Sequence, residues 1–293
     1  MKFYAECVAC LCQSALRKAE RVKDPALKVE YMRQVCRVIE SADPEHDAAP
    51  LVDARIIQLR RSLLGIEEDY SEGKRSFNRL LLELYPQLCQ RVEAAPDPLM
   101  AALQFSMYGN YIDFGVLEEV KPEELMRLLD EAQTRSLDAG EYQRLCQDLQ
   151  GEGELVFLHD NCGEVVLDKL LMQTIQARYP RLKLVSIVRG APILNDVTMQ
   201  DALEVGLNDV AQVMENGLRD IAGTQLDMLP VPVLERIRGA KLVIAKGQGN
   251  FETLIGCGLN VYYLFLSKCA GYTQWFGFEH FSGILQNELR MKH

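Results

Sequence analysis

Two patterns of apolar spacing divide the chain near residue 154. Before it, apolar residues recur every three or four positions, and Val29–Glu40, Pro50–Gly65 and Arg75–Glu93 read as helices. In the last of these Leu80, Leu81, Leu84, Leu88 and Val92 form the apolar face, with Arg79, Glu83, Gln87 and Arg91 on the surface. Pro86 lies inside it and is expected to kink or split it. Asp43-Pro44 and Pro50 bound one loop, and Gly73 marks another. Pro96-Asp97-Pro98 closes the region and reads as a hinge between lobes, being too short for a free linker. Pro98–Tyr108 resumes a helix that ends in a shaped loop, Gly109-Asn110-Tyr111-Ile112-Asp113-Phe114-Gly115. Pro122–Gln133 and Ala139–Leu149 are two further amphipathic helices; Pro122-Glu123-Glu124 suits a helix N-terminus.

After residue 154, short continuous apolar runs alternate with helical stretches. Leu155–Leu158, Leu182–Val188, Val210–Met214, Lys241–Ala245 and Asn260–Leu266 read as strands. Val165–Tyr179, the stretch around Met199–Gly206, Pro232–Ile237 and Phe251–Gly256 read as helices between them. Strands alternating with helices imply an α/β fold with a parallel sheet and right-handed crossovers. The expected division is a helical N-terminal subdomain over residues 1–95 and an α/β domain over 96–293.

Composition narrows the classes of function. The 293 residues are 48% hydrophobic and 25% charged, as in a globular protein with a sizeable core. Lys and Arg number 32 against 42 Asp and Glu, a net charge of −10. An acidic chain without a basic run argues against nucleic acid or an anionic membrane as partner. It also requires a local cation for any anionic substrate. Met1-Lys2 leads into no apolar run, Glu6 interrupts the start, and no stretch of about 18 apolar residues occurs, so neither signal peptide nor membrane span is expected. Nine scattered cysteines fit a reduced, cytoplasmic protein, with Cys36, Cys89, Cys146 and Cys269 as small packed hydrophobes.

The strand ends carry the candidate chemistry. Asp160-Asn161 follows the first strand and Arg189-Gly190 the second, with Asn195-Asp196-Val197-Thr198 shortly after. Glu215-Asn216-Gly217 follows the third, Lys246-Gly247-Gln248-Gly249-Asn250 the fourth and Ser267-Lys268 the fifth. In a parallel sheet these positions share one edge, where ligands bind in open α/β folds. The two aspartates with the amide oxygens beside them make a hard-oxygen site suited to Mg²⁺ or Mn²⁺. Lys246, Lys268 and Arg189 supply charge for a phosphate, and Gly247 and Gly249 allow backbone N–H groups to approach an anion. The bland reading of an aspartate or asparagine after a strand is a helix cap or turn. Neither a Walker A loop nor a dinucleotide fingerprint is present.

LHDNCGEVVLDKLL, VRGAPILNDVTMQDA, AKGQGNFETL and YGNYIDFG resemble the metal-dependent damage-control phosphatases, and FYAECVACLCQSAL resembles the start of their stand-alone prokaryotic branch. The resemblance runs over about residues 1–285. It implies an α/β/α sandwich with a mostly parallel, Rossmann-like sheet behind a helical N-terminal region. It also implies a divalent metal (Mn²⁺, Mg²⁺, Ni²⁺ or Co²⁺) on Asp160, Asn161 and Asp196. Phosphate-side contacts would come from Lys268 and the Lys246–Asn250 segment, including Gly247 and Asn250. Asp160 or Asp196 is also the candidate for proton transfer or attack, and Asn110 and Asp113 for facing the pocket from the helical side. The substrate implied is a small phosphorylated metabolite: a damaged or surplus sugar phosphate, or a phosphopantetheine-like or nucleotide-like compound. Two other classes remain, a carboxyl methyltransferase-like enzyme and a non-catalytic phosphometabolite-binding protein.

Several residues have a plainer reading. Cys7 and Cys10 form one Cys-x-x-Cys, a candidate for a second metal or a redox pair, or else helix-face cysteines. Cys162 has no Cys-x₅-Arg phosphatase loop around it and is expected to pack. His159 is expected to point away from Asp160, because neighbouring strand residues alternate faces. Trp275, Phe276, Phe278 and Phe281 read as a C-terminal core patch.

Overall fold

The computed structural model describes residues 1, 3–109, 122–134 and 137–291. Helices come first: α1 Ala5–Lys18, α2 Pro25–Glu40, α3 Ala49–Leu64, α4 Ser71–Ala94, α5 Pro98–Tyr108, α6 Pro122–Thr134 and α7 Ala139–Asp148. Then β1 Gly153–Leu158, α8 Glu164–Arg178, β2 Leu182–Val188, α9 Met199–Glu204 and β3 Gln212–Glu215 follow. The chain continues through α10 Val231–Gly239, β4 Leu242–Lys246, α11 Gly247–Leu254, β5 Val261–Leu266, α12 Gly271–Phe276 and β6 Gly283–Asn287. Asp24 caps α2 and Asp97 caps α5, each side chain accepting from two backbone N–H groups.

The sheet order is β3-β2-β1-β4-β5-β6. The first five strands are mutually parallel, and β6 runs antiparallel on the β5 edge. From β1 the chain winds outward first through β2 and β3, then through β4 and β5, so the order reverses between β1 and β4. That switch point is where a doubly wound sheet opens a crevice at its carboxyl edge. The strands are apolar on both sides because both faces are covered. Leu155 and Phe157 of β1 join α4, α5 and α8 on one face, while Val156 and Leu158 join α10 and α11 on the other.

The helical region splits unevenly. Helices α1, α2 and α3 enclose their own small core around Leu11, Tyr31, Val35 and Val52. Phe77, Leu81, Leu84 and Leu88 of α4 instead pack into the sheet-side core with α5 and α8. The Pro96–Pro98 corner is pinned: Tyr142 Oη donates to Asp97 Oδ2 at 2.6 Å and Arg178 to Oδ1 at 3.3 Å.

Four details depart from the sequence expectation. Helix α4 runs unbroken past Pro86, whose ring is on the exposed face, so only one acceptor is lost to solvent. Strand β6 was not anticipated; its five residues, Gly283 to Asn287, offer too short an apolar run to read. Cys36 is exposed rather than packed. In the aromatic patch Phe251 is the hub, with ring centroids of Tyr263, Phe265, Tyr272 and Phe276 at 5.0–5.4 Å, while Phe281 is 43% exposed and lies outside it. Trp275 stacks on Tyr4 at 3.9 Å, tying the chain's start to α12.

Because Pro86 is exposed and inside a regular helix, Pro86→Ala should restore the bond to the Leu82 carbonyl and raise stability by about 1–3 kcal/mol. Urea unfolding checks this. A change smaller than about 0.5 kcal/mol would mean the helix has adapted to the ring.

Candidate active site

The chain leaves β1 with its polar residues turned outward, and a later segment is laid across them. Val197 N donates to Asp160 O at 2.8 Å, Cys162 N donates to Asn195 O at 2.9 Å, and Asn161 and Asp196 pair as an isolated antiparallel bridge. Arg189 N, at the end of β2, donates to Val197 O at 2.8 Å. Backbone bonds therefore fix Asp196 beside Asp160 and Asn161. The expected triad is brought together.

Beneath the triad lies Arg189, 3% exposed. Its Nε donates to Asp196 Oδ2 at 2.6 Å and its Nη2 to Asp160 Oδ1 at 3.4 Å. Nη1 donates to Gly223 O at 2.9 Å and Asn250 Oδ1 at 3.2 Å. Arg189 was expected to grip a phosphate; its donors instead hold the carboxylates and the scaffold. Asn250 is a second correction. It is fully buried, its Oδ1 also accepts from Thr224 Oγ1 at 2.8 Å, and its Nδ2 donates to Lys246 O at 2.8 Å. It fastens β4 to β1 and has no group left for substrate.

Lys246 is the third correction. Its side chain turns to the α8 face and is 0% exposed. Nζ donates to Ser106 O at 2.9 Å, to Asp168 Oδ1 at 2.7 Å and to Glu164 Oε1. An ammonium has three donors, and all three are engaged. His159 points to the same face, away from Asp160 as expected: Nδ1 lies 2.9 Å from Asp168 Oδ2 and Nε2 3.0 Å from Ser186 Oγ. A buried polar network, Ser186–His159–Asp168–Lys246–Glu164, thus underlies the site.

Two glycines are required by space. Gly247 has φ +77°, and a Cβ there would stand 1.9 Å from Asp160 Oδ2. A Cβ on Gly249 would stand 1.8 Å from Ala222 O. Lys268 emerges at the end of β5, half-buried, its N–H donating to Gln248 Oε1 at 2.6 Å, and its charge draws on the Glu164 carboxyl. Asn110 and Asp113 lie outside the described residues.

The electrostatics are those of an acidic pit. Burial first, then Asp196 and Glu164, push the Asp160 carboxyl well above the carboxylate range, against Arg189 and Lys246. Burial raises Asp196, opposed by Arg189 and Lys74. Glu164 is pushed up to about 7, chiefly by burial, against the pull of Lys246. Burial is the leading cause for each of these three raised carboxyls, whereas Asp168 is held low by Lys246 and His159 against its burial.

Those observations fit a divalent cation. Asp160, Asn161 and Asp196 present the oxygen chemistry for it. The Arg189 bond takes Oδ2 of Asp196 and leaves Oδ1. Among the described residues no three His, Cys, Asp or Glu side chains are arranged to hold a metal, so Asn161 and water would complete the set. Of the Cys-x-x-Cys pair, Cys7 is buried and Cys10 exposed, and burial raises both thiols. Cys162 is buried with its thiol pushed up by burial, in keeping with packing. Among the described residues three buried polar atoms near this edge have no partner: Glu164 Oε2, Ser267 Oγ and Asn216 Nδ2.

Sequence reasoning passed over Glu164 although it stands inside the Asp-Asn-Cys-Gly-Glu run, one turn beyond Asp160. Lys74 carried no signal at all. It comes from α4, is 6% exposed, pairs with Asp201 Oδ2 at 2.5 Å, and its charge reaches Asp196.

A doubly wound sheet with carboxylate, amide and carboxylate at its switch point defines a Rossmann-like α/β protein with a hard-oxygen ligand site. The chain belongs to the damage-control phosphatase ARMT1-like domain family, whose model matches residues 3–281. It is 28% identical over 272 residues to a damage-control phosphatase of Archaeoglobus fulgidus, covering 92% of this chain and 93% of that one. A damage-control phosphatase of Pyrococcus horikoshii is 24% identical over 272 residues, covering 92% of each. The crystal structure of a DUF89 family protein from P. horikoshii superposes with a TM-score of 0.83 at 22% identity, covering 98% of this chain and 99% of that one. Among the described residues no helix is long and apolar enough to cross a membrane.

Two outcomes follow from this geometry. Gly247→Ala should destabilise the fold by about 2–4 kcal/mol, combining left-handed strain with the overlap on Asp160, as read by guanidinium unfolding. A loss below about 1 kcal/mol would show that Asp160 yields easily. Glu164→Gln tests the acidic pit in protein freed of metal. A carboxyl raised to about 7 in the fold contributes stability that is full below the ordinary glutamate range and lost as pH rises through about 7. Gln stays neutral, so relative to wild type the variant should gain stability between about pH 5 and 8, by at most roughly 3 kcal/mol. Parallel stability curves for the two proteins would contradict the shift.

Proposed function

We propose that this protein is a metal-dependent phosphatase acting in the cytoplasm on small phosphorylated metabolites, such as damaged or surplus sugar phosphates or phosphopantetheine-like and nucleotide-like compounds. The observation that carries the reading is the buried Asp160–Asp196 pair, bridged by Arg189 at the sheet's switch point. Asp160, Asn161 and Asp196 would hold Mn²⁺, Mg²⁺, Ni²⁺ or Co²⁺, which supplies positive charge to the phosphoryl oxygens. Family membership supports the phosphatase activity. Nine free cysteines support a reducing compartment.

This chain's own groups have separable tasks. Arg189 orients both carboxyls and opposes the rise that burial imposes on them. Lys268, the half-buried cation beside Glu164, neutralises a phosphate oxygen. Glu164 Oε2 and Ser267 Oγ, both buried and without partners, would meet the substrate or ordered water. Asp160 or Asp196 is the group for proton transfer or attack.

Phosphate release from p-nitrophenyl phosphate, measured with each metal and with chelator, tests the reading. Metal-dependent release is expected, and none with any of the four metals would overturn it. Asp196→Asn should abolish that activity while the fold survives, since the change is isosteric. Lys268→Ala should lower kcat/KM by about ten- to a hundredfold, the weight of a charge-assisted hydrogen bond, with metal affinity retained. Wild-type turnover in Lys268→Ala would remove it from the site.

A further inference from the structure

Lys268, the cation assigned above to a phosphate oxygen, stands past the end of β5, where the paired ladder has run out. On the β6 side the register ends with Leu266 opposite Gly283, and on the β4 side with Leu264 opposite Lys246, after which β4 turns into α11. A lysine carries its charge on a flexible four-carbon stem, so its ammonium reaches one place only if the backbone that bears it is fixed.

The two polar groups of the Lys268 backbone are both taken, each by a side chain. Half-buried Gln248 accepts from Lys268 N at its Oε1, at 2.6 Å. His280 Nε2 lies 3.0 Å from Lys268 O, and because a carbonyl only accepts, Nε2 carries the hydrogen. The neighbouring residue is held by main chain. Ser267 N donates to Ser282 O at 2.9 Å, and Ser267 O accepts from Phe281 N at 2.7 Å. Phe281 makes that bond from φ +58°, a left-handed conformation that a bulky residue takes only where its surroundings impose it, and such residues cluster at ligand-holding sites.

Gln248 also belongs to the turn beside the carboxylates. It follows Gly247, where a Cβ would stand 1.9 Å from Asp160 Oδ2. One turn therefore abuts Asp160 with one residue and fixes the root of Lys268 with the next. A link of this kind sets the separation between the carboxylate side and the lysine side of the site, which must match a phosphate lying between them.

We propose that Gln248 is a positioning residue for Lys268, with His280 holding the other end of the same backbone unit. The proposal rests on the phosphatase reading and on the place of Lys268 in it.

The test is a double-mutant cycle on kcat/KM for p-nitrophenyl phosphate, using the full chain loaded with Mn²⁺. Gln248→Met keeps the length of the side chain and removes the acceptor, and should lower kcat/KM by about three- to tenfold, the weight of one hydrogen bond. In the Lys268→Ala background the same change should cost nothing further, because no ammonium is left to place. Calorimetry should show inorganic phosphate binding weakened in Gln248→Met by a similar factor, with Mn²⁺ affinity at the wild-type value. His280→Ala changes an exposed position and should repeat the pattern with a smaller loss, which keeps the test valid if Gln248→Met does not fold. Losses that add in the double variant would make Gln248 a general prop of the sheet edge and overturn the proposal. So would a wild-type kcat/KM in Gln248→Met or, should that variant not fold, in His280→Ala. A shifted Mn²⁺ affinity would place the effect at Asp160 and overturn it too, as would a wild-type kcat/KM in Lys268→Ala. All four results leave the phosphatase reading intact, whereas no release of p-nitrophenol by wild type with any of the four metals overturns both.

Discussion

Two carboxylates from segments 36 positions apart are held side by side in a dry environment, and Arg189 is what makes that tolerable. Desolvating one carboxylate is costly, and desolvating two together is worse, because each raises the other. Arg189 answers with a fork of donors that also ties the loop at Gly223 and Asn250. Removing it would leave buried charge without compensation and would take away the side-chain tie on Asp196. Site and local fold thus depend on the same guanidinium. The compensation is incomplete: burial still raises both carboxyls against Arg189.

How the sequence could be read differed by level. Fold class was legible because parallel strands covered on both faces must be continuous apolar runs, and runs such as Leu182–Val188 admit little else. Asp160 and Asn161 were legible because residues just past such runs share the carboxyl edge, whereas Asp196, eight residues beyond β2, was assigned by the family resemblance. Side-chain direction was not legible. Lys246 and Gly247 are neighbours, yet one is buried against α8 and the other makes room for Asp160, since a step of one residue along a strand reverses the face. Lys246, Asn250 and Arg189 all sit at the expected edge with their donors turned inward to protein acceptors. Only tertiary coordinates reveal that a charged residue has partners from Ser106 and Glu164, the first 140 positions away.

Glu164 and Lys74 show two kinds of omission. Glu164 was hidden in plain view as the first residue of an amphipathic helix, where an acid ordinarily complements the helix dipole. Its burial, not its position, is what makes it unusual. Lys74 could not be found from the sequence by any rule of spacing, because it reaches the site from a helix more than 80 residues before Asp160.

That reach bears on what the helical region is for. Asn78 Oδ1 accepts from Gly163 N at 2.6 Å, Phe77 packs under the same glycine, and Lys74 holds the capping residue Asp201 of α9. Three residues on one face of α4 thereby touch both halves of the metal-ligand arrangement, the turn after Asn161 and the helix start after Asp196. The helical region is therefore part of the site's foundation as well as its roof. Helices α1–α3 keep a core of their own, so this coupling runs through α4. The inner face of α4 is constrained by charge pairing and by close backbone approach.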